Sequence, residues 1–97
     1  MQYLVIAYDG KEEGTFERRL AVRDEHLKKV AQMKAEGKIL FAGALLDENE
    51  KMTGSAVVVD FPSREELDKW LEEEPYVINN VWKDIDIKPY KAAGMFI

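Results

Sequence analysis

The 97-residue chain is 46% hydrophobic and 34% charged, which is typical of one globular domain and excludes a disordered segment. Its net charge of −5, with no cluster of Lys and Arg, argues against nucleic acid as a partner. The chain has no cysteine, which excludes disulfides and thiolate chemistry and fits a cytoplasmic protein. Its amino-terminal apolar run is too short for a membrane span or a signal peptide, so we expect no contact with membranes.

The chain alternates strand and helix patterns in the order β-α-β-β-α-β. The apolar, β-branched residues 2–8 predict a buried strand that ends at the Asp9-Gly10 turn. A helical pattern then runs over residues 16–36, with Thr15 as the expected N-cap and Gly37 after its end.

The second half of the chain predicts a hairpin, a helix and a last strand. We expect strands over residues 38–46, 55–61 and 79–91, and a helix over residues 63–74. Ser63 and Glu66 have the spacing of a capping box at the start of that helix, and Pro75 is expected to end it.

This order of elements predicts a ferredoxin-like α+β domain over residues 1–97, with a four-stranded antiparallel sheet and both helices on one face. The other sheet face then lacks a cover, and such a sheet can bury it against a second copy of the chain. We expect Tyr3, Phe41, Val57 and Trp82 to line that sheet-to-sheet contact, or a pocket within it. The apolar tail "AAGMFI" is expected to dock, on a partner subunit or elsewhere.

The first helix has an unusual polar row next to its apolar stripe. At about 100° per residue, one arc of the helix collects Phe16, Leu20, Leu27, Val30 and Ala31. Arg23 falls inside this arc, while Arg19 and His26 lie on its shoulder. A guanidinium there must reach water, pair with a carboxylate of the chain or bind an anionic ligand. For His26, the only histidine, a structural imidazole and a functional one both remain open.

Five sequence blocks resemble the YciI (YCII-related) family: "RLAVRDEHL", "EGKILFAG", "TGSAVVVDF", "EPYV" and "DIKPYK", in that order. The resemblance covers residues 1 to about 91 and implies a member of the dimeric α/β-barrel superfamily, with protomers that pair sheet to sheet as homodimers or in larger assemblies. It also implies a pocket built around a His and an Asp. These positions fall on His26, which follows Arg23 in an R-x-x-H block, and on Glu74, where Glu replaces Asp just before "PY".

The resemblance implies two further site positions. Asp9, at the end of the first strand, matches an acidic position of the family and is an alternative partner for His26. Ser55 matches a polar position of the family that could bind a ligand, and its interpretation as the polar first residue of a strand is equally open.

A histidine with a carboxylate partner is a common general acid–base device near neutral pH. With Arg23 holding an anionic group, it would suit isomerisation, elimination or a related proton transfer on a small anionic molecule; muconolactone isomerases belong to the same superfamily. We expect His26 and Glu74 to be catalytic and Arg23, Ser55 and Asp9 to bind substrate, with no cofactor and no metal. A dimeric ligand-binding or interaction module without turnover is the alternative.

Three other site types fit poorly. Ser55 lacks a G-x-S-x-G nucleophile elbow, and one histidine with scattered carboxylates makes a weak metal site. The strand that contains Ser55 also lacks the paired aromatic residues of an RNA-binding sheet.

Overall fold

The computed structural model describes residues 1–97 as one α+β domain. Its elements are β1 (Gln2–Asp9), α1 (Thr15–Ala35), β2 (Ile39–Leu46), β3 (Met52–Asp60), α2 (Arg64–Glu73), α3 (Pro75–Ile78), β4 (Trp82–Tyr90) and a 3₁₀ turn (Gly94–Phe96). All neighbouring strands are antiparallel, in the order β2-β3-β1-β4. The predicted ferredoxin-like fold is confirmed. None of the helices is both long and apolar enough to cross a membrane.

The hydrophobic core lies between the helices and one face of the sheet. It is formed by Tyr3, Val5, Ala7, Ile39, Val57, Val59, Phe61, Leu67, Trp70, Tyr76, Val81 and Trp82. Tyr3, Val57 and Trp82 were expected on the other sheet face, and that expectation is wrong. Tyr3 pairs with Val59 in the strand register, and the alternation of a strand therefore places Tyr3 and Val57 on the helix-covered face.

Trp82 reaches the core because β4 is irregular at its start. In the pairing with β1, Tyr8 lies opposite Asp84 and Asp9 lies opposite Trp82, so the register shifts and Lys83 is left without a partner. Such a bulge changes the side of the sheet on which the next side chain lies. Trp82 is consequently 4% exposed on the helix side, whereas regular alternation would have placed Lys83 there.

No helix covers the opposite face of the sheet, here called the open face. Its central side chains are apolar: Leu4, Ile6, Tyr8, Phe41, Leu45, Ala56 and Val58. Tyr8 and Phe41 are 49% and 45% exposed. Along β4 the same face carries Asp84, Asp86 and Lys88. An apolar centre with a charged margin is typical of a protein interface.

Two helix starts differ from the prediction. Gly14, with φ of 92°, is the N-cap of α1, and Thr15 is its first helical residue, with a hydroxyl that donates to the Glu12 carbonyl at 3.0 Å. Pro75 follows the end of α2, as expected, but it also opens the single turn of α3. Proline suits this first position because its missing N–H would have no helical partner there.

Candidate functional site

The buried side of α1 is polar, and it is not the arc that the apolar pattern predicted. Arg19 and His26 are only 2% and 6% exposed, whereas Leu20 and Leu27 are 49% and 41% exposed and Arg23 is also exposed. The helix is thus rotated by roughly 100°, about one residue, from the predicted phase. The rotation is stable because Arg19 and His26 each meet a carboxylate of the same chain.

His26 and Glu74 form one of these pairs. The Nδ1 atom of His26 contacts Oε1 of Glu74, a side chain that is 1% exposed. Glu74 lies between α2 and α3 and is the N-cap of α3. Its side chain is held in place because the same Oε1 accepts a hydrogen bond from the Tyr76 backbone N–H at 3.3 Å. The structure therefore brings together the two residues that the family resemblance implied as an acid–base pair.

Asp9 lies against Arg19 instead of His26. The Arg19 Nη1 atom donates to both Asp9 carboxylate oxygens at 2.9 Å, and Nη2 donates to Ser55 Oγ at 3.0 Å. Trp82 Nε1 donates to the same Ser55 oxygen at 3.2 Å. Asp9, Arg19, Ser55 and Trp82 thus form one buried polar network, in which Asp9 neutralises Arg19.

Ser55 has a defined role in this network. Its oxygen accepts two hydrogen bonds, and a hydroxyl has two acceptor positions and one donor hydrogen. The Ser55 O–H has no acceptor in the chain, so it remains free to donate to a ligand. Two donors on the oxygen also draw electron density away from it, which makes Ser55 a poor nucleophile.

Two aromatic rings enclose His26. The Tyr76 ring stacks on the imidazole with 4.1 Å between centroids and an interplanar angle of 22°, and the Trp82 ring meets it edge-on at 5.9 Å. The Arg19 guanidinium lies 4.7 Å from the Tyr76 ring centroid, in cation–π geometry. These contacts fix the orientation of both the imidazole and the guanidinium.

A cavity of about 200 Å³ opens beside His26, between α1 and the strands β2 and β3. The polar residues that line it are Arg19, Arg23, His26, Ser55 and Tyr76. The apolar ones are Leu27, Val30, Ala42, Gly43, Ala44, Met52 and Val57. Glu74 and Asp9 lie behind this lining, against the side chains that they pair with. Larger hollows elsewhere on the surface contain no histidine, so this cavity is the candidate site.

Burial controls the protonation of two site residues. It raises the pKa of Asp9 above the usual range of a carboxyl, and the nearby Arg19 charge and its hydrogen bonds offset only part of that effect. Burial likewise raises the pKa of the Tyr76 phenol, although Arg19 and Arg23 act in the opposite direction. Tyr76 therefore stays a neutral phenol near neutral pH and does not serve as a phenolate base.

We expect Tyr76 to be the tyrosine of this site that resists ionisation. Because its pKa is raised in the folded state, the neutral phenol favours folding below the ordinary tyrosine pKa of about 10, and this stability is lost as the pH rises through the folded value. The phenolate absorbance of the wild type minus that of Tyr76→Phe should isolate its titration. Tyr8→Phe, at an exposed ring, is the control. A Tyr76 transition at the pH of an ordinary phenol would contradict the burial argument.

The replacement Ser55→Ala should lower the free energy of unfolding by about 1–3 kcal/mol, because Arg19 Nη2 and Trp82 Nε1 lose a buried acceptor. Urea unfolding followed by circular dichroism measures the change. Thr53→Ala is the matched control on the same strand, since the Thr53 side chain is exposed and makes only a weak 3.5 Å hydrogen bond. Equal losses for the two variants would show that the network does not depend on Ser55.

Sequence reasoning did not select Arg19, Tyr76 and Trp82 as site residues. Arg19 had a usable signal, since it lies seven residues before His26 and therefore on the same helix face. Tyr76 follows Glu74 by two residues in the "EPYV" block, but nothing in that spacing predicts stacking on an imidazole. Trp82 depends on the bulge in β4, which the alternating pattern does not reveal.

Solved structures resemble this fold over nearly its full length. 5-chloro-2-hydroxyhydroquinone dehydrochlorinase (TftG) from Burkholderia phenoliruptrix, solved in complex with 2,5-dihydroxybenzoquinone, superposes with a TM-score of 0.82 at 22% identity, covering 98% of both chains. An antibiotic biosynthesis monooxygenase superposes with a TM-score of 0.54 at 14% identity, covering 95% of this chain and 97% of the other. At these identities the likeness shows the fold alone.

Sequence comparison gives the family. An uncharacterised protein of Haemophilus influenzae is 38% identical over 99 aligned positions, and protein YciI of Escherichia coli is 34% identical over 99; each alignment covers 96% of this chain and 99% of the relative. The family model of the YCII-related domain matches residues 1–91. The chain therefore belongs to the YCII-related (YciI) family.

Proposed function

We propose that this protein is a cofactor-independent acid–base enzyme that moves a proton on a small anionic substrate, in an isomerisation, an elimination or a related reaction. The observation that carries the proposal is the His26–Glu74 pair at the wall of the cavity. The carboxylate is buried behind the imidazole, and the imidazole itself borders the space where a substrate would lie.

The pair assigns different tasks to the two ring nitrogens of His26. Nδ1 carries the hydrogen that is donated to Glu74, so Nε2 holds the free lone pair. Nε2 makes no hydrogen bond within the chain, and it is not among the fully enclosed polar atoms. It is the base that takes a proton from the substrate and returns it. The Glu74 carboxylate stabilises the imidazolium that forms in between.

Two groups would bind the anionic part of the substrate. Arg23 makes no ion pair and borders the cavity from an exposed position, so its charge is available. The Ser55 O–H has no acceptor in the chain and would donate to an oxygen on which negative charge develops. Arg19, in contrast, is committed to Asp9, which we place in the support of the site and not against the substrate.

A hydrolase mechanism has less support. Ser55 makes no hydrogen bond to His26, and both acceptor positions of its oxygen are occupied. Elimination draws support from the structural likeness to a dehydrochlorinase, since loss of hydrogen chloride requires removal of a proton.

Hydrogen–deuterium exchange tests the proposal without knowledge of the natural substrate. 2,5-dihydroxybenzoquinone and small cyclic enols with an acidic C–H would be incubated in D₂O and followed by proton NMR. We expect the wild type to accelerate exchange and His26→Asn to lose the acceleration, by about 10²–10⁴-fold. The Asn amide can still donate to Glu74 near the position of Nδ1, so this variant removes the base with the least disturbance.

The control for the exchange experiment is Lys28→Gln, on the exposed face of the same helix. Exchange that continues unchanged in His26→Asn would overturn the proposed mechanism. Binding of these compounds without any exchange by the wild type would favour a ligand-binding module instead.

We also propose that two copies of the chain pair through their open faces. The support is the apolar surface centred on Phe41 and Tyr8, with its charged margin along β4. Light scattering after size exclusion should give twice the 11.2 kDa of one chain, and Phe41→Glu should give the monomer. Ile78→Glu, at a residue 62% exposed on the helix side, is the control. A monomeric wild type would refute this assembly.

A further inference from the structure

We propose that the cavity is a slot for a single six-membered ring, and that Ala42 and Ala44 on the edge strand β2 set this limit. The inference rests on the proposed function, because it names the class of substrate that His26 would meet: one ring carrying anionic oxygen groups.

The outer wall of the slot consists of small side chains. Ala42 pairs with Val57 and Ala44 pairs with Ser55, so both alanines lie on the helix side of the sheet with their partners. Both alanines are exposed. The opposite wall is Leu27 and Val30 of α1. Apolar side chains contributed by two different elements, β2 and α1, suit the two faces of a flat ring.

The polar groups lie at the edges of the slot, whereas its two walls are apolar. His26 and Ser55 border it on the core side, and Arg23 borders it on the solvent side. A ring between the apolar walls would present its edge to all three. Ring substituents such as hydroxyl or oxo groups would then meet the Ser55 O–H and the Arg23 guanidinium.

The volume of the cavity beside His26 corresponds to a ligand with one ring. A dry protein cavity of about 150 Å³ holds one benzene molecule. The slot, at about 200 Å³, is therefore matched to one ring with a few oxygen substituents, and we expect a fused second ring to fit it less well. Nucleotides and coenzyme A thioesters are larger still and would leave most of their atoms outside.

The test enlarges the two alanines of the outer wall, so that their side chains occupy the slot. We would measure binding of 2,5-dihydroxybenzoquinone by calorimetry to the wild type, Ala44→Leu and Ala42→Leu. The matched control is Ala35→Leu, the same substitution at an exposed alanine at the end of α1 that does not line the cavity. We expect each leucine variant to weaken binding by about tenfold or more, and the control to bind as the wild type does.

A second probe reports on ring number. 2-hydroxy-1,4-naphthoquinone has the same kind of oxygen groups on two fused rings, and we expect the wild type to bind it at least about tenfold more weakly than the single ring. Equal binding of the two probes, unchanged binding in both leucine variants, or no binding of the single ring to the wild type would overturn the slot. Thermal unfolding of each variant by circular dichroism verifies that it is folded.

The experiments can refute the slot and the acid–base mechanism independently of each other. Binding that depends on Ala42 and Ala44, together with exchange that survives in His26→Asn, would retain the slot and reject the mechanism. Exchange that requires His26, with equal binding of one-ring and two-ring probes, would retain the mechanism and reject the slot.

Discussion

Arg19→Leu should lower the free energy of unfolding by about 3–5 kcal/mol, because it leaves the Asp9 carboxylate buried without its counter-charge. The Arg19 and Asp9 side chains are 3% and 6% exposed, so water cannot replace the lost partner. Ser55 loses one of its two donors in the same variant. Urea unfolding followed by circular dichroism gives the change.

Two further variants test whether the lost stability of Arg19→Leu comes from the unpaired charge of Asp9. Arg64→Ala removes an exposed pair with Asp68, and about 1 kcal/mol or less should be lost there. Arg19→Leu combined with Asp9→Val removes both buried charges and should be less unstable than Arg19→Leu alone. If the single and double variants were equally unstable, the charge on Asp9 would not be the cause.

Glu74→Gln should reduce the proton-transfer rate by about 10³–10⁴-fold, by analogy with the loss when the aspartate of a serine-protease triad becomes asparagine. A glutamine amide can donate to His26 Nδ1, which favours the tautomer that carries its hydrogen on Nε2. The imidazole would then present a hydrogen to the substrate in place of a lone pair. The exchange reaction used for His26→Asn measures the rate.

The tautomer itself can be measured without a substrate. Because His26 is the only histidine, its ¹⁵N resonances are free of overlap, and we expect the Nδ1–H form in the wild type. The matched control is Glu73→Gln, one residue away and exposed, which should change neither the tautomer nor the rate. The Nε2–H form in the wild type would contradict the roles assigned to the two nitrogens.

The order of the elements could be predicted because it depends on local patterns. The apolar, β-branched run of β1, the Ser63 cap of α2 and the glycine after α1 are all encoded within a few residues. Ser63 Oγ does accept a hydrogen bond from the Glu66 N–H, at 3.3 Å. The phase of α1 could not be predicted in this way, since a periodicity analysis assigns charged residues to water. The periodicity of α1 contains no information on Asp9 and Glu74, which come to lie under the helix only in the folded chain.

The candidate site was predictable where residue type mattered and unpredictable where tertiary geometry did. A lone histidine near arginines, and a carboxylate before Pro75, were visible in the sequence. That Arg19 and not Arg23 is the buried guanidinium follows from the rotation of α1, and the contribution of Trp82 follows from the bulge at Lys83. Both depend on contacts between elements that are far apart in the chain.

The two buried pairs of α1, Arg19–Asp9 and His26–Glu74, differ greatly in how far apart their partners lie along the chain. Arg19 and Asp9 are 10 residues apart, whereas His26 and Glu74 are 48 residues apart. Closing the longer loop costs more chain entropy, and the chain between its ends contains the β2–β3 hairpin and α2. A partly folded chain with β1 and α1 formed can therefore hold its structural ion pair while its imidazole still lacks a carboxylate. Activity that depends on His26 and Glu74 thus reports the completely folded chain.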